Sequence, residues 1–380
     1  MAWKQTSIVK TREEFVLRAL DPHSKVVDLC KEYQISRKTG YKWIRRFKEL
    51  GVEGLRDMSR RPRSSPLRAS GESVMRVLEL RAQHPRWGAR KLHAVLQRSN
   101  EGDPATVPSL RTIARILTRA NLINPRPSRS ATRTPQDAPS PTVKEPNDLW
   151  TIDFKGWWHS RDGVRCEPLT VRDAFSRNVL YAQLMESRSA EFVREHFEGL
   201  FQVHGLPAGI LMDNGTPFVS TRARGGLTTL SAWWISLGIE LHRSRLAHPQ
   251  DNGGHERMHL DILREVQQDP APTFEQQQKA IDVWRHEFNH VRPHESLDMR
   301  VPADVYRAST RRYQGVNPVF YPSGLIIRKV QHSGLIKLRG RSVRVSQALA
   351  GYCVGLEPLT KTTFRVFFYN VDLGQIELPS

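Results

Sequence analysis

The sequence predicts a multidomain fold: all-α helix-turn-helix modules, then an α/β core, then a small C-terminal β-barrel. Helical patterns with basic faces fill the first 123 residues, and strands alternate with helices over residues 148–310. Short β-type runs then fill residues 318–380. Stretches rich in Pro and Ser, residues 58–70 and 124–147, predict linkers between these parts.

Charge is distributed unevenly along the 380 residues, whose formal net charge is +19. Residues 1–135 hold 29 basic and 12 acidic residues (+17), residues 136–315 hold 21 and 24 (−3), and residues 316–380 hold 8 and 3 (+5). Basic flanks around a mildly acidic middle favour DNA-binding arms around a metal site. The charge alone is also typical of an ordinary basic soluble protein.

The compartment is predicted to be the reducing cytoplasm. The three cysteines, Cys30, Cys166 and Cys353, lie far apart and show no zinc-ligand spacing. Residues 1–10 are polar, unlike a signal peptide, and no apolar run approaches the roughly 20 residues of a membrane span. We therefore expect no membrane partner.

Residues 1–57 predict a helix-turn-helix domain. Two short amphipathic helices, residues 12–20 and 26–33, precede a longer basic helix that Ser36 caps and Gly51 ends. The longer helix is the predicted recognition helix, with its first side chains at base edges and later cations at phosphates. A basic solvated helix in a bundle that binds no DNA is the alternative. The predicted DNA contacts on it are Arg37, Lys38, Thr39, Tyr41, Lys42, Arg45 and Arg46.

Residues 71–123 predict a second helix-turn-helix-like domain. Helical patterns cover residues 72–83, 88–97 and 109–120, and Ser109 is a suitable cap for the last of them. Along that last helix, Arg111 and Arg115 are predicted to contact DNA.

Residues 148–310 predict a ribonuclease-H-like α/β sheet, because three strands precede an alternation of helices with short strands. The predicted strands are residues 149–158, 167–173, 178–185, 209–212 and 240–244. The predicted helices are residues 189–204, 227–237, 252–268 and 274–289. In the tail, the barrel strands are predicted at residues 324–330, 335–338, 342–345, 363–368 and 375–378.

Three acidic residues stand out in the α/β core. Asp153 lies in the first strand, Asp213 ends the fourth strand before an Asn-Gly turn, and Glu256 lies early in a long helix. Carboxylates from three elements can converge on two Mg²⁺ or Mn²⁺ ions, which suit in-line displacement at phosphorus. Singly, an Asp at a strand end is often a turn former and a helical Glu is usually solvated, so the prediction depends on all three in this order.

Other polar residues near these acids are secondary candidates. His259 lies one turn after Glu256 and faces the same way, so it predicts either a phosphate contact or a buried polar residue. Asp173 follows the second strand and is predicted to support either the metal site or the fold. The remaining residues expected to shape the site are Asn214, Asp251 and Asn252.

These residues fall within a wider resemblance. Residues 148–306 resemble the catalytic core of retroviral integrases and of bacterial DDE insertion-sequence transposases, through LWTIDFKG, TVRDAFSR, LMDNGTPF, GIELHRSRLAHPQDNGGHERMHLDILREV and FNHVRPHESLDMRVPADVY. The resemblance implies that Asp153, Asp213 and Glu256 hold the metals. It also implies binding to the terminal inverted repeats of an element and to target double-stranded DNA, as a homo-oligomer associated with the nucleoid in the bacterial cytoplasm. The interval from Asp213 to Glu256 is longer than in many integrases, with TRARGGLTTLSAWW in the extra room.

The sequence leaves three functions open. A transposase would cleave element ends and join 3′-hydroxyls to target DNA. A DNA-binding regulator with an inactive core is disfavoured, because all three acids are present. A metal nuclease that joins no strands would use the same site, although two DNA-binding domains favour recognition of ends.

Overall fold

The computed structural model describes residues 7–58, 69–99, 106–123, 142–221, 223–245, 252–316 and 321–378. The chain divides into two compact units, Met1–Arg68 and Ala69–Ser380. Most of both predicted linkers lies outside the described residues.

The first unit contains the predicted three helices. They are α1 (Ile8–Ala19), α2 (Val26–Glu32) and α3 (Arg37–Leu50). The Ser36 side chain caps α3 by accepting from the Thr39 amide at 3.2 Å, and Gly51 ends it with φ +62°. Gly40 in α3 is required by a close approach, because a Cβ there would lie 2.6 Å from Cys30 Sγ. The three helices therefore pack around one small core, which contains Phe15, Val16, Leu29, Cys30, Trp43, Ile44 and Leu55.

The second unit begins with three further helices, as predicted. They are α4 (Gly71–Gln83), α5 (Ala89–Ser99) and α6 (Leu110–Arg119). Ser109 caps α6 by accepting from the Thr112 amide at 3.3 Å. The apolar faces of these helices share a core, and Val291 of the α/β domain packs against it.

A five-stranded sheet forms the centre of the second unit, in the order β5-β4-β1-β6-β7. The strands β1, β4 and β5 are antiparallel, whereas β6 and β7 run parallel to β1. This is the ribonuclease-H-like arrangement that the sequence predicts. The strands are β1 (Leu149–Phe154), β4 (Pro168–Asp173), β5 (Val179–Leu184), β6 (Gly209–Met212) and β7 (Glu240–Arg243). A short hairpin, β2 (Trp158–His159) and β3 (Arg165–Cys166), lies between β1 and β4.

Helices cover both faces of this sheet. On one face, α7 (Ala190–His204) and α8 (Thr229–Ser236) bury a core centred on Trp150, Phe197 and Trp234. On the other face are α9 (Gly253–Ile262), which continues as a π-helical segment at Leu263–Gln267, and α10 (Phe274–His290). A short helix, α11 (Pro302–Val305), follows α10. The sheet is therefore buried on both sides, and β4 is buried along its whole length.

The C-terminal region is rich in β-strands, as predicted, but the described strands do not form one closed barrel. The described strands form an open four-stranded sheet, β13-β12-β11-β8, and a separate two-stranded sheet, β10-β9. The strand β11, with a Gly in its centre, is one that the sequence pattern does not predict. The strands are β8 (Ile326–Lys329), β9 (Leu335–Leu338), β10 (Arg341–Arg344), β11 (Cys353–Pro358), β12 (Thr363–Phe368) and β13 (Val371–Glu377).

These sheets share a core with the α/β domain. Leu227, Ala232 and Ile235, in and next to α8, belong to the same buried cluster as Phe364 and the other apolar residues of the C-terminal sheets. The segment that lengthens the interval before Glu256 also contacts the tail, because Arg224 Nη1 donates to the Gln375 carbonyl at 2.8 Å. Across all of the chain that the structure describes, no helix is long and apolar enough to cross a membrane.

Candidate active site and DNA-binding surfaces

Asp153 lies near the end of β1, in the middle of the sheet. It pairs with Thr170 of β4, whose Oγ1 donates to the Asp153 carbonyl at 3.0 Å. Its side chain is 27 % exposed. Burial, followed by the negative charge of Asp213 and, more weakly, that of Glu256, raises the pKa of Asp153 to about 7. Asp153 is therefore within electrostatic range of both other predicted acids.

Asp213 follows β6, the strand beside β1, and is exposed. The Gly215 amide donates to Asp213 Oδ1 at 3.1 Å, which orients the carboxylate over the turn. Asn214 Nδ2 donates to the Ser244 carbonyl at 2.7 Å, and so ties the end of β6 to the residue after β7. Asn214 therefore shapes the edge of the sheet on which Asp213 lies.

Glu256 lies in the first turn of α9, on an exposed side of the helix. Asn252 occupies the N-cap position of α9 without a side-chain capping bond. Asp251, the other residue expected to shape this entry, lies outside the described residues. The position of Glu256 over the sheet is therefore set by the packing of α9 itself.

A buried polar network attaches α9 to the sheet beside Asp153. His255, which is fully buried, lies 2.8 Å from Thr151 Oγ1 through Nδ1 and 2.7 Å from Thr170 Oγ1 through Nε2. His259 Nε2 lies 2.8 Å from the same Thr170 hydroxyl, and its Nδ1 lies 3.7 Å from Asp153 Oδ2. Burial lowers the pKa of His259 to about 3 and that of His255 well below its usual range. Both rings are therefore neutral hydrogen-bonding groups that fix the helix carrying Glu256.

The chemistry of the three acids fits a hard divalent cation, because carboxylate oxygens are the ligands that Mg²⁺ and Mn²⁺ prefer. Among the described residues, no three His, Cys, Asp or Glu side chains are grouped closely enough to hold a metal ion in this conformation. Asp153 is therefore coupled electrostatically to the other two acids, although the three described side chains are not grouped around one position.

Asp173 has a structural role, away from this site. It pairs with Trp150 at the opposite end of the β1–β4 ladder from Asp153 and is completely buried. Its carboxylate accepts from the Asn147 amide and from the amide and hydroxyl of Ser176. Of the secondary candidates, His259 contacts the site and Asp173 does not.

Sequence analysis did not identify His255, Thr151 and Thr170, nor the pair formed by Arg188 and Glu167. The alternation along β1 that places Thr151 on the face of Asp153 was the available signal for the first group. Arg188 donates to both carboxylate oxygens of Glu167, and its guanidinium carbon lies 4.5 Å from the ring centre of Phe154. No sequence spacing links these residues, so only the fold brings them together.

The surface of α3 is basic, as expected for a recognition helix, but two of its predicted DNA contacts are occupied within the domain. Thr39 bonds to the Ser36 cap, and Arg46 is half-buried over Trp43 and donates to the Arg56 carbonyl at 2.9 Å. The exposed candidates on α3 are Arg37, Lys38, Tyr41, Lys42 and Arg45. On α6, Arg111 and Arg115 are both exposed.

Comparison with known protein families agrees with this architecture. A homeodomain-like domain model matches residues 39–117 and a helix-turn-helix domain model matches residues 11–63. Two integrase core domain models match residues 143–249 and 237–302. The chain therefore belongs to the class of proteins in which helix-turn-helix DNA-binding domains precede an integrase core.

Relatives and the tail define the class further. An uncharacterized 31.7 kDa protein of insertion element IS407 from Burkholderia multivorans is 26 % identical over 231 residues, 60 % of this chain and 78 % of the relative. An uncharacterized 39.2 kDa protein of insertion element IS476 from Xanthomonas euvesicatoria is 27 % identical over 264 residues, which are 68 % of this chain and 71 % of that relative. Residues 326–380 match the C-terminal domain of IS481 family transposases. The chain is therefore similar to proteins of insertion elements over more than half of its length, and its tail is similar to the C-terminal domain of IS481 family transposases.

Solved structures similar to this chain include retroviral integrase cores. The HTLV-2 integrase catalytic core domain in complex with magnesium is 17 % identical, with a TM-score of 0.34, over 43 % of this chain and 98 % of that one. The catalytic core domain of BIV integrase is 21 % identical, with a TM-score of 0.32, over 42 % and 93 %.

Proposed function

We propose that the protein binds the terminal inverted repeats of its insertion sequence, cleaves the element ends and joins their 3′-hydroxyls to target DNA. The observation that carries the proposal is the electrostatic coupling of Asp153 to Asp213 and Glu256, from two adjacent strands and the helix packed across them. Three carboxylates without a neutralising cation are unfavourable, and such an arrangement is typical of a site that binds divalent metal.

Asp153, Asp213 and Glu256 would hold two Mg²⁺ or Mn²⁺ ions. When bound, such ions lower the pKa of the attacking water or 3′-hydroxyl and stabilise the departing oxygen. The chain itself supplies position. The Thr151, Thr170 and His255 network holds α9 against β1, and Gly215 orients the Asp213 carboxylate.

The DNA-binding helices would select the substrate. The exposed cations of α3 and α6 lie on separate helical domains. Each domain would therefore contact its own part of one element end. Phosphate contacts would fix the register of the DNA and base-edge contacts would select the sequence. Because two element ends must be joined in one event, the active form would be a homo-oligomer on DNA.

The proposal is tested with purified protein, a labelled duplex that carries the terminal repeat flanking the gene, and Mg²⁺. Nicked and joined products are scored for Asp153→Asn, Asp213→Asn and Glu256→Gln, with Asp282→Asn and Glu275→Gln as matched controls on α10. We expect the first three variants to bind the ends but to form neither product, whereas both controls remain active.

Three other outcomes would change the assignment. Joining by any of the three site variants at the wild-type rate would remove that residue from the site. Nicked products without joined products from the wild-type protein would instead indicate a metal nuclease, and end binding without either product would indicate a regulator.

A further inference from the structure

A row of aromatic and charged side chains runs from an exposed tryptophan to the acidic site. Trp157 is 54 % exposed, and the guanidinium carbon of Arg165 lies 5.1 Å from its ring centre. Arg165 pairs with Glu167 at 3.2 Å, and Glu167 pairs in turn with Arg188. Arg188 lies over Phe154, the residue after Asp153. We refer to Trp157, Arg165, Glu167 and Arg188 as the arginine ladder.

Glu167 fixes both arginines of the ladder. Its side chain is 6 % exposed, so a buried carboxylate anchors two guanidinium groups that are themselves 56 % and 43 % exposed. Arg188 uses Nε and Nη2 for this bond, and Phe154 supports one face of the guanidinium. Because two cations share one anion, the ladder keeps a net positive charge. The arginines are thus held in place before any ligand binds, which reduces the entropy lost on binding.

The ladder is adjacent to the acids of the proposed site. The carboxylate of Glu167 and, more weakly, those of Asp213 and Asp153 raise the pKa of Arg188, so Arg188 lies within electrostatic range of both acids of the proposed site. Trp157 follows β1, only four residues after Asp153. A ligand that contacts Trp157, Arg165 and Arg188 in turn would therefore reach the carboxylates of Asp153 and Asp213.

We propose that the arginine ladder binds one strand of the DNA substrate beside the reacting phosphodiester, with phosphates on Arg188 and Arg165 and an unpaired base stacked on Trp157. This inference rests on the proposed function of the site. Guanidinium groups match phosphate oxygens with paired donors, and an indole ring stacks on any base. An acidic peptide fits less well, because Asp153 and Asp213 would repel its carboxylates, whereas a phosphodiester can share the cations that those acids bind.

The first test measures strand joining by full-length Arg188→Gln over a range of DNA concentrations. Arg194→Gln is the matched control, because Arg194 is 44 % exposed, pairs with Glu198 and lies over Trp233. We expect kcat/KM to fall about 10²-fold for Arg188→Gln, as for loss of one preorganised charge-stabilising donor. The control should remain within about twofold of the wild type, and Arg188→Lys should recover only part of the loss. Binding of the terminal-repeat duplex should change little, since the helical domains supply most of it.

The second test places 5-iodouracil in the strand next to the cleavage position and identifies photocrosslinked peptides by mass spectrometry. Crosslinking to the peptide that contains Trp157 is expected in the wild type. It should disappear in Trp157→Ala but not in Val164→Ala, which alters an exposed apolar residue of the same hairpin.

The results separate this inference from the proposed function. If Asp153→Asn abolishes joining while Arg188→Gln joins at the wild-type rate at every DNA concentration, the ladder is only a structural ion pair. The same conclusion follows if the crosslink forms elsewhere in the wild type. If Asp153→Asn retains joining, the proposed active site itself is wrong.

Discussion

Thr170 Oγ1 and His255 Nε2 lie 2.7 Å apart, and this contact joins the strand paired with Asp153 to the helix that carries Glu256. The same hydroxyl also contacts His259 and the Asp153 carbonyl. One threonine therefore connects both elements of the proposed site, and its removal should affect them together.

Thr170→Val should leave two buried imidazole nitrogens without a partner. A buried polar group that loses its partner costs about 1–3 kcal/mol, so we expect a loss of that size in the free energy of unfolding. Urea denaturation measures it. Thr118→Val is the control, because the Thr118 hydroxyl bonds only within the exposed surface of α6. Equal losses in the two variants would contradict a special role for Thr170.

The buried arginine Arg292 should be essential to the packing of α9, the helix that carries Glu256. Its guanidinium is 3 % exposed and contacts Asp261 at 3.4 Å, Glu287 at 3.6 Å and Glu265. Arg292→Ala leaves these carboxylates without their cation, and such losses cost about 3–5 kcal/mol in the free energy of unfolding. Arg90→Ala, which removes an exposed partner of Glu295, should cost at most about 1 kcal/mol. Similar urea midpoints for the two variants would show that the cluster is weak.

Stability should fall as the pH is lowered from about 6.5 towards 4. Burial lowers the pKa of His204 to about 4 and the pKa values of His259 and His294 to about 3. Unfolded histidines titrate near 6.5, so below that pH the unfolded state binds more protons than the folded state. Each of these histidines then lowers the free energy of unfolding by up to about 1.4 kcal/mol for each unit by which the pH falls. The raised pKa of Asp153 opposes only part of this change.

Urea denaturation at pH 7.5 and 5.0 tests this dependence. His204→Asn keeps a polar side chain beside Tyr306 but does not titrate, so the difference between the two pH values should be smaller in this variant. A difference equal to that of the wild type would exclude His204 as a contributor.

Divalent metal should stabilise the protein more at high pH. The pKa of Asp153 is about 7 because of burial and the charge of Asp213, so a cation must displace a proton from Asp153 at pH 6 but not at pH 8. In thermal melts with Mg²⁺, we expect the larger rise in Tm at pH 8 and little rise in Asp153→Asn. Without metal, Asp213→Asn should melt above the wild type because it removes repulsion. An unchanged rise in Asp153→Asn would place the metal elsewhere.

Binding to element ends should depend on the exposed face of α3. Arg37→Ala and Arg45→Ala remove exposed cations and should weaken binding to the terminal-repeat duplex, with a smaller dependence on salt if the contact is to phosphate. Arg18→Ala on α1 is the control, because Arg18 pairs with Glu32. Unchanged affinity of both α3 variants at physiological salt would contradict the recognition-helix assignment.

Local signals in the sequence predicted most helices and strands. Ser36 and Ser109 cap the helices that they were expected to cap, and Gly51 ends α3, because these features depend on a few neighbouring residues. The sequence does not show whether the C-terminal strands close into a barrel, because closure depends on pairing between strands distant in sequence. Gly355 in β11 also weakened the strand signal there.

The candidate site was predictable only in part. Asp153, Asp213 and Glu256 were found from their order and sequence context. The supports around them were not found, because Glu167 and Arg188 meet only after β4 and the start of α7 pack together. Arg46 and Thr39 are predicted as DNA contacts but are bonded within the domain, because a helical pattern shows which residues are basic or polar but not which are already bonded.

The buried cluster that joins α8 to the tail has a consequence for how this protein can be shortened. Leu227, Ala232 and Ile235 are buried against the apolar residues of the C-terminal sheets. A fragment that ends near residue 316 would expose these apolar side chains to water, and the exposed patch would promote self-association. The tail is thus part of the folding unit of the α/β domain, and a shortened protein would need polar replacements on α8 to stay in solution.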